Sequence, residues 1–294
     1  MTKAARSKPE VRVENFAGTQ EIEEVLLGLD LLAGEHPELA QACAYYGRLL
    51  PLLARAQVGV PPLDMDPGRV REKVERGEPV LRGEELPLSS PQLVSLFSEI
   101  WGAAAGEGEA GGPGPSMEPE TLAAWIDEVM GGEFNWAQKT APIPGMDGSR
   151  LRAILQNCLK PYLHAWREAL MPGVDTSGWQ KGICPFCGSL PLLAELRGPQ
   201  RARSLRCGLC GADWRFNRLQ CAHCGCTDTR SLAILAPEGE LQRASIQACS
   251  ECRAYLKMVI TVDPIPARFL PVEDLATLSL DLIAGNFGYT RPGW

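Results

Sequence analysis

Four Cys-x-x-Cys pairs, at Cys184/Cys187, Cys207/Cys210, Cys221/Cys224 and Cys249/Cys252, use eight of the chain's 11 cysteines. Two residues between cysteines is the spacing at which a tight turn aims both sulfurs at one cation. Two such turns supply a complete tetrahedral set of thiolates, so four turns predict two closed metal sites. The expected ligands are Cys184, Cys187, Cys207 and Cys210 for site 1, and Cys221, Cys224, Cys249 and Cys252 for site 2. The gaps from Cys187 to Cys207 and from Cys224 to Cys249 each fit two strands and a turn, with turns at Arg197-Gly198-Pro199 and Ala236-Pro237-Glu238-Gly239. The gap from Cys210 to Cys221 is much shorter, which favours sequential pairing of first with second and third with fourth. Interleaved pairing, first with third, is the alternative. Zn²⁺ and iron both accept four sulfurs tetrahedrally, so spacing alone leaves the metal open.

A glycine after the second cysteine lets such a turn take positive φ and point backbone N–H groups at sulfur. Gly188, Gly211 and Gly225 fill that place, but the fourth turn has Arg253 and must be built differently or carry strain. Cys226 reads as an exposed free thiol, with a spare ligand or a redox-active thiol as the other reading. His223 reads as a surface side chain, not a ligand, since four sulfurs already suffice. His164, Cys43 and Cys158 fall on apolar helical faces and read as core. A thioredoxin-like redox dithiol would need a single pair opening a helix, which is not the surrounding pattern. No nucleophile–base pair or phosphate loop stands out, and four sulfurs leave a metal no open position for substrate. The expectation is a protein that is not an enzyme.

The chain of 294 residues, 45% hydrophobic and 22% charged, has the composition of a soluble globular protein. Its polar start and lack of a long apolar run predict no signal peptide and no membrane span, hence a cytoplasmic protein. Thiols stay reduced in that compartment, which favours metal ligation over disulfides. A net charge of −7 disfavours a general nucleic-acid binder. Residues 180–262 nevertheless carry eleven Lys/Arg against six acids. A divalent ion held by four thiolates carries two net negative charges, so two such sites would offset most of that excess.

Before residue 180 the periodicity is helical. Stripes at three- and four-residue steps run over Glu21–Leu32, Glu38–Ala56 with a kink or break expected at Pro51, Gln92–Ala105, Glu118–Met130 and Ser149–Met171. Residues 59–91, rich in Pro and charge, are expected to wrap the surface, and Gly106–Pro115 reads as a flexible loop. After Pro172-Gly173 short β-like runs alternate with the cysteine pairs. Val272–Ala284 reads as a last helix that docks back on the helical body through Leu275, Leu278, Leu282 and Ile283. The fold class expected is α+β: an all-helical domain at 1–180, two tandem zinc-ribbon or rubredoxin-like β modules at 181–218 and 219–262, and a C-terminal helix and tail at 263–294.

The order of these elements resembles the formate dehydrogenase accessory protein family, the FdhE type. The stretches that carry the resemblance are Gly182-Ile-Cys-Pro-Phe-Cys-Gly-Ser-Leu-Pro191, Leu205-Arg-Cys-Gly-Leu-Cys-Gly-Ala-Asp-Trp214, Arg218-Leu-Gln-Cys-Ala-His-Cys224 and Cys249-Ser-Glu-Cys-Arg-Ala-Tyr-Leu-Lys257. Arg253 and Cys226 depart from its pattern. The resemblance implies iron in both modules, with zinc the alternative. It also implies a cytoplasmic factor, free of turnover, that binds the catalytic subunit of respiratory formate dehydrogenase before export. Arg215, Arg218 and Arg253 flank the metal turns and are the candidate partner contacts, since each could pair with a client carboxylate. Two other classes compete: a zinc-ribbon nucleic-acid binder and a rubredoxin-like electron carrier.

Overall fold

A computed structural model describes residues 19–105, 115–131, 148–237 and 243–292. Six helices come first: α1 (Thr19–Glu35), α2 (Ala40–Val58), α3 (Pro67–Glu75), α4 (Pro91–Ala105), α5 (Pro119–Gly131) and α6 (Gly148–Leu170). Helix α6 is the axis of the body. Its Leu151, Ile154, Leu155, Cys158, Leu159, Leu163 and Trp166 are buried, so most of its circumference faces protein. Each such fully buried apolar side chain contributes about 1.5–3 kcal/mol. Cys43 and Cys158 are core residues, as the periodicity predicts.

Helix α2 continues through Pro51, so the chain does not break there, and α6 likewise runs through Pro161. The missing N–H costs one backbone bond per proline, and packing of the flanking apolar stripes outweighs it. The stretch 59–91 contains α3, with Asp66 accepting from Arg69 N–H at its N-cap and Pro67 in the first turn. Val70, Val74, Val80, Leu81 and Leu88 from this stretch are buried in the core, so it is more than a surface wrap. The loop expected at Gly106–Pro115 lies almost wholly outside the described residues.

The β region forms one sheet. Strands β1 (Pro191–Arg197), β2 (Ala202–Cys207), β3 (Asp213–Arg215), β4 (Leu232–Leu235), β5 (Ala244–Cys249) and β6 (Tyr255–Thr261) lie in the order β3-β2-β1-β6-β5-β4. Neighbours within each half are antiparallel. The halves join where β1 runs parallel to β6, with Ala194 opposite Met258 and Arg197 opposite Thr261. The two cysteine modules are therefore edge-joined and share a single sheet. One face of it, through Ala194, Leu205, Trp214, Leu256 and Met258, joins the core of the helical body. The other, through Leu193, Ile246, Tyr255 and Val259, is covered by C-terminal residues that include Leu270, Leu280 and Ala284.

That C-terminal cover is two helices, α7 (Leu270–Ala276) and α8 (Leu278–Asn286), separated at Thr277. Thr277 Oγ1 donates back to the Glu273 carbonyl at 2.7 Å, and the backbone leaves helical geometry there. The break shifts the phase of the apolar stripe. Leu275 packs against the α1–α2 pair as expected, but Leu278 and Leu282 are exposed, and Leu280 and Ala284 make the contact with the sheet.

Buried ion pairs hold these layers in register. Lys257, fully buried on β6, places Nζ 2.6 Å from Asp274 and 2.9 Å from Asp281. Tyr255 OH donates to Asp281, and Arg291 pairs with Asp274 at 2.7 Å. On β1, the buried Glu195 carboxylate receives Arg206 and Arg197. Several of the eleven cations of this region are thus consumed internally.

Candidate metal centres

Each Cys-x-x-Cys pair sits on a knuckle of the same construction. The N–H of the first cysteine donates to the carbonyl five residues on: Cys184 to Ser189 at 2.8 Å, Cys207 to Ala212 at 2.9 Å, Cys221 to Cys226 at 2.8 Å and Cys249 to Ala254 at 2.9 Å. The chain reverses because the residue after the second cysteine has positive φ, +80° at Gly188, +71° at Gly211 and +76° at Gly225. Arg253 adopts the same conformation at φ +57°, so the fourth knuckle follows the pattern of the other three and carries the strain. Its guanidinium donates to the carbonyls of Phe287 (2.8 Å) and Gly288 (3.0 Å) and stacks on the Tyr289 ring, 4.4 Å from the centroid.

The knuckles converge in sequential pairs. Cys184, Cys187, Cys207 and Cys210 form one group of sulfurs, all within 4.8 Å of one another, and Cys221, Cys224, Cys249 and Cys252 form the second. The interleaved arrangement is not what the structure holds. Across site 1 the Cys184–Cys210 and Cys187–Cys207 sulfurs are 3.5 Å apart. Across site 2 the Cys221–Cys252 and Cys224–Cys249 separations are 3.7 and 3.8 Å. A metal bound tetrahedrally at about 2.3 Å from each sulfur requires sulfurs about 3.8 Å apart. Both donor sets therefore fit a four-coordinate ion of the zinc or iron kind.

Their surroundings differ. All four sulfurs of site 1 belong to buried residues, whereas Cys224 of site 2 is exposed and Cys252 partly so. Site 1 is also fastened to the helical body. Val80 and Leu81 N–H donate to the carbonyls of Pro185 and Phe186, each at 2.9 Å, and His164 packs against Gly211. Gly182 lies so close to Ala222, in the first knuckle of site 2, that a Cβ there would fall 1.7 Å from the Ala222 carbonyl oxygen. Backbone and hydroxyl donors reach the sulfurs. Leu209 and Cys210 N–H point at Cys207 Sγ (3.4 and 3.3 Å), His223 N–H points at Cys221 Sγ (3.4 Å), and Ser189 Oγ lies 3.0 Å from Cys207 Sγ. Ser189 was not singled out by spacing, although its place directly after the knuckle glycine was a usable signal.

Burial and then hydrogen bonds from neighbouring thiols push Cys184 and Cys210 well above the ordinary thiol range. Burial acts the same way on Cys207, but hydrogen bonds from Cys184, Cys187 and Cys210 outweigh it and hold that thiol well below. In site 2, Cys249 is likewise lowered, its burial outweighed by the N–H groups of Cys252 and Glu251. Metal ligation by thiols is coupled to proton release.

Of the remaining candidates, Cys226 closes the third knuckle through its carbonyl, and its half-buried thiol stands outside both four-sulfur groups. His223 donates from Nε2 to the Tyr255 carbonyl at 3.1 Å, also outside the ligand set. The three arginines are dispersed. Arg215 is exposed on the edge strand β3, Arg218 lies on the linker between the modules, and Arg253 is engaged by the C-terminal carbonyls. No described helix is long and apolar enough to cross a membrane.

A helical body joined to one sheet that carries two closed four-cysteine centres defines a knuckle protein with paired, sulfur-only sites. Family models for FdhE match here, the central domain over residues 183–218 and the C-terminal domain over residues 219–294. A Protein FdhE homolog of Stutzerimonas stutzeri is 31% identical, over 88% of this chain and 83% of its own length. One from Pseudomonas aeruginosa is 28% identical, over 84% and 81%. The chain belongs to the FdhE family. The crystal structure of the FdhE protein from Pseudomonas aeruginosa, at 23% identity, shares the fold with a TM-score of 0.61 over 95% of both chains.

Proposed function

We propose that this protein is a cytoplasmic accessory factor that binds the catalytic subunit of respiratory formate dehydrogenase before export and performs no turnover itself. The observation that carries this reading is the pair of closed Cys₄ sets, at the sulfur separations of a tetrahedral ion, in a chain of this family. Site 1 would hold one ion through Cys184, Cys187, Cys207 and Cys210, and site 2 a second through Cys221, Cys224, Cys249 and Cys252. Iron is the metal implied by the family, with zinc the alternative. Bound ions would supply folding free energy, on the order of 10–16 kcal/mol for a structural site. They would present the surrounding backbone and Arg215 and Arg218 rigidly to a client carboxylate. Arg253 would contribute chiefly by holding the tail against site 2. Deletion of the gene is expected to abolish membrane formate oxidation while the catalytic subunit is still synthesised. Normal formate oxidation in the deletion strain would overturn the assignment.

A further inference from the structure

A cleft with about 260 Å³ of free space crosses the sheet face that continues outward from the helical core. It is shared by both modules, since it takes residues from β1 and β2 on one side and from β4, β5 and β6 on the other. Its walls bring together Arg201, Arg203 and Arg218 with Leu219, Ile234 and Met258, and no carboxylate lines it among the described residues. Leu219 and Ile234 are 62% and 51% exposed, so aliphatic surface stands open at its rim. Its floor sets Ser245 and Gln247 of β5 among the aliphatic Leu196, Met258 and Ile260. Gln247 there is buried and donates to the Arg218 carbonyl at 3.0 Å.

Arg203 is the most telling of the lining residues. Its side chain is 97% buried by the 3% exposure of the residue, and Nη1 is held by the carbonyls of Asn217 and Gln220 at 3.2 and 3.0 Å. Nε and Nη2 have no hydrogen-bond partner, and burial pulls the guanidinium down to about 10. Buried cations ordinarily have an acid partner. For Arg203 the described lining of the groove supplies no acid, and its guanidinium lies 5.6 Å from the centroid of the Phe216 ring.

We propose that this cleft is the client-docking site of the protein and that its occupant is an extended polypeptide segment bearing acidic and aliphatic side chains. The inference rests on the proposed function and adds to it the surface and the kind of sequence bound. The free space falls below the roughly 300–1,000 Å³ of small-molecule pockets and suits a few side chains of an open-ended chain. Nucleic acid is the poorer fit. Single strands bind on aromatic platforms, and the lining residues are aliphatic, polar or arginine, without an aromatic ring.

The test uses the full metal-loaded chain and the isolated immature catalytic subunit of formate dehydrogenase, with binding measured by calorimetry. Arg218→Glu, Leu219→Asp and Ile234→Asp alter the cleft at three exposed positions outside both ligand sets, and Arg71→Glu on α3 is the control. Metal content and circular dichroism identify any variant that fails to fold, and the remaining cleft variants then decide. The expected result is a Kd raised at least tenfold by each cleft variant and unchanged within twofold by the control. Wild-type binding matched by folded cleft variants would overturn the docking site while leaving the accessory function standing. No binding by the wild type would overturn both. Preferential capture of a single-stranded RNA oligonucleotide, lost in the same variants, would replace the polypeptide occupant with a nucleic acid.

Discussion

Arg253 occupies a left-handed turn that three equivalent positions give to glycine, at φ +57°. Arginine there costs about 1 kcal/mol or more of backbone strain, because its Cβ crowds the neighbouring carbonyl. Two carbonyl hydrogen bonds and the Tyr289 stack offset that cost. Arg253→Ala keeps the strain and loses the contacts, whereas Arg253→Gly loses the contacts and relieves the strain. Chemical denaturation is expected to rank the proteins wild type, then glycine, then alanine, with about 1 kcal/mol between the two variants. Equal stability of the two would show that no strain is stored at this turn. Gly182 is constrained differently, by space: its missing Cβ is the gap that Ala222 fills. Gly182→Ala must push two knuckles apart, with an expected loss of about 1–3 kcal/mol. Thermal unfolding and the metal content of site 2 measure it, and an unchanged Tm would contradict the packing described.

The C-terminal helices depend on charge buried beneath them. Asp274 is pushed up by burial, but Arg291 and Lys257 outweigh that and hold it below the ordinary carboxylate range. A carboxyl depressed in the folded state stabilises above its unfolded pKa, about 3.9, and loses that contribution as pH falls through the folded value. Peptic cleavage within residues 270–292 is therefore expected to speed up below about pH 4. Lys257→Met leaves two aspartates facing an apolar side chain and should cost about 3–5 kcal/mol at neutral pH. Recovery of much of that loss on acidification is the signature expected, and a variant as stable as wild type at pH 7 would refute the role given to the ion pairs. These elements also mark how far the sequence is legible. The hairpins could be read because cysteine pairs punctuate them, and sequential pairing follows from the short linker at 211–220. Helix α3 carried an Asp-Pro start signal that the surrounding prolines and charges obscured. The parallel pairing of β1 with β6 has no local signature, since its partners lie more than sixty residues apart. The partners of Lys257 and the cleft are hidden for the same reason.

At the scale of the molecule the two centres are unequal partners. Site 1 is enclosed and fastened to the helical body, while site 2 exposes Cys224. A chelator such as EDTA added at mild acidity is expected to remove one ion per chain early and the second only after sheet protection is lost. Hydrogen exchange should report the early loss in β4 and β5, with α6 protected throughout. Simultaneous release of both ions would argue against the asymmetry. The helices packed on α6 through Leu151, Ile154, Leu155 and Leu159 should survive full chelation, although the sheet-facing side of their shared core opens.

The covering of the sheet by residues 270–292 also imposes an order on the making of the protein. Ribosomes deliver the chain from its N-terminus, so the helical body and both hairpins emerge while Lys257 still lacks its aspartates and Arg253 its carbonyls. Until the last two dozen residues arrive, one apolar face of the sheet stands uncovered. A message cut short anywhere in that interval yields a product with a complete set of cysteines and an unsealed sheet, marked for proteolysis by its own exposed surface.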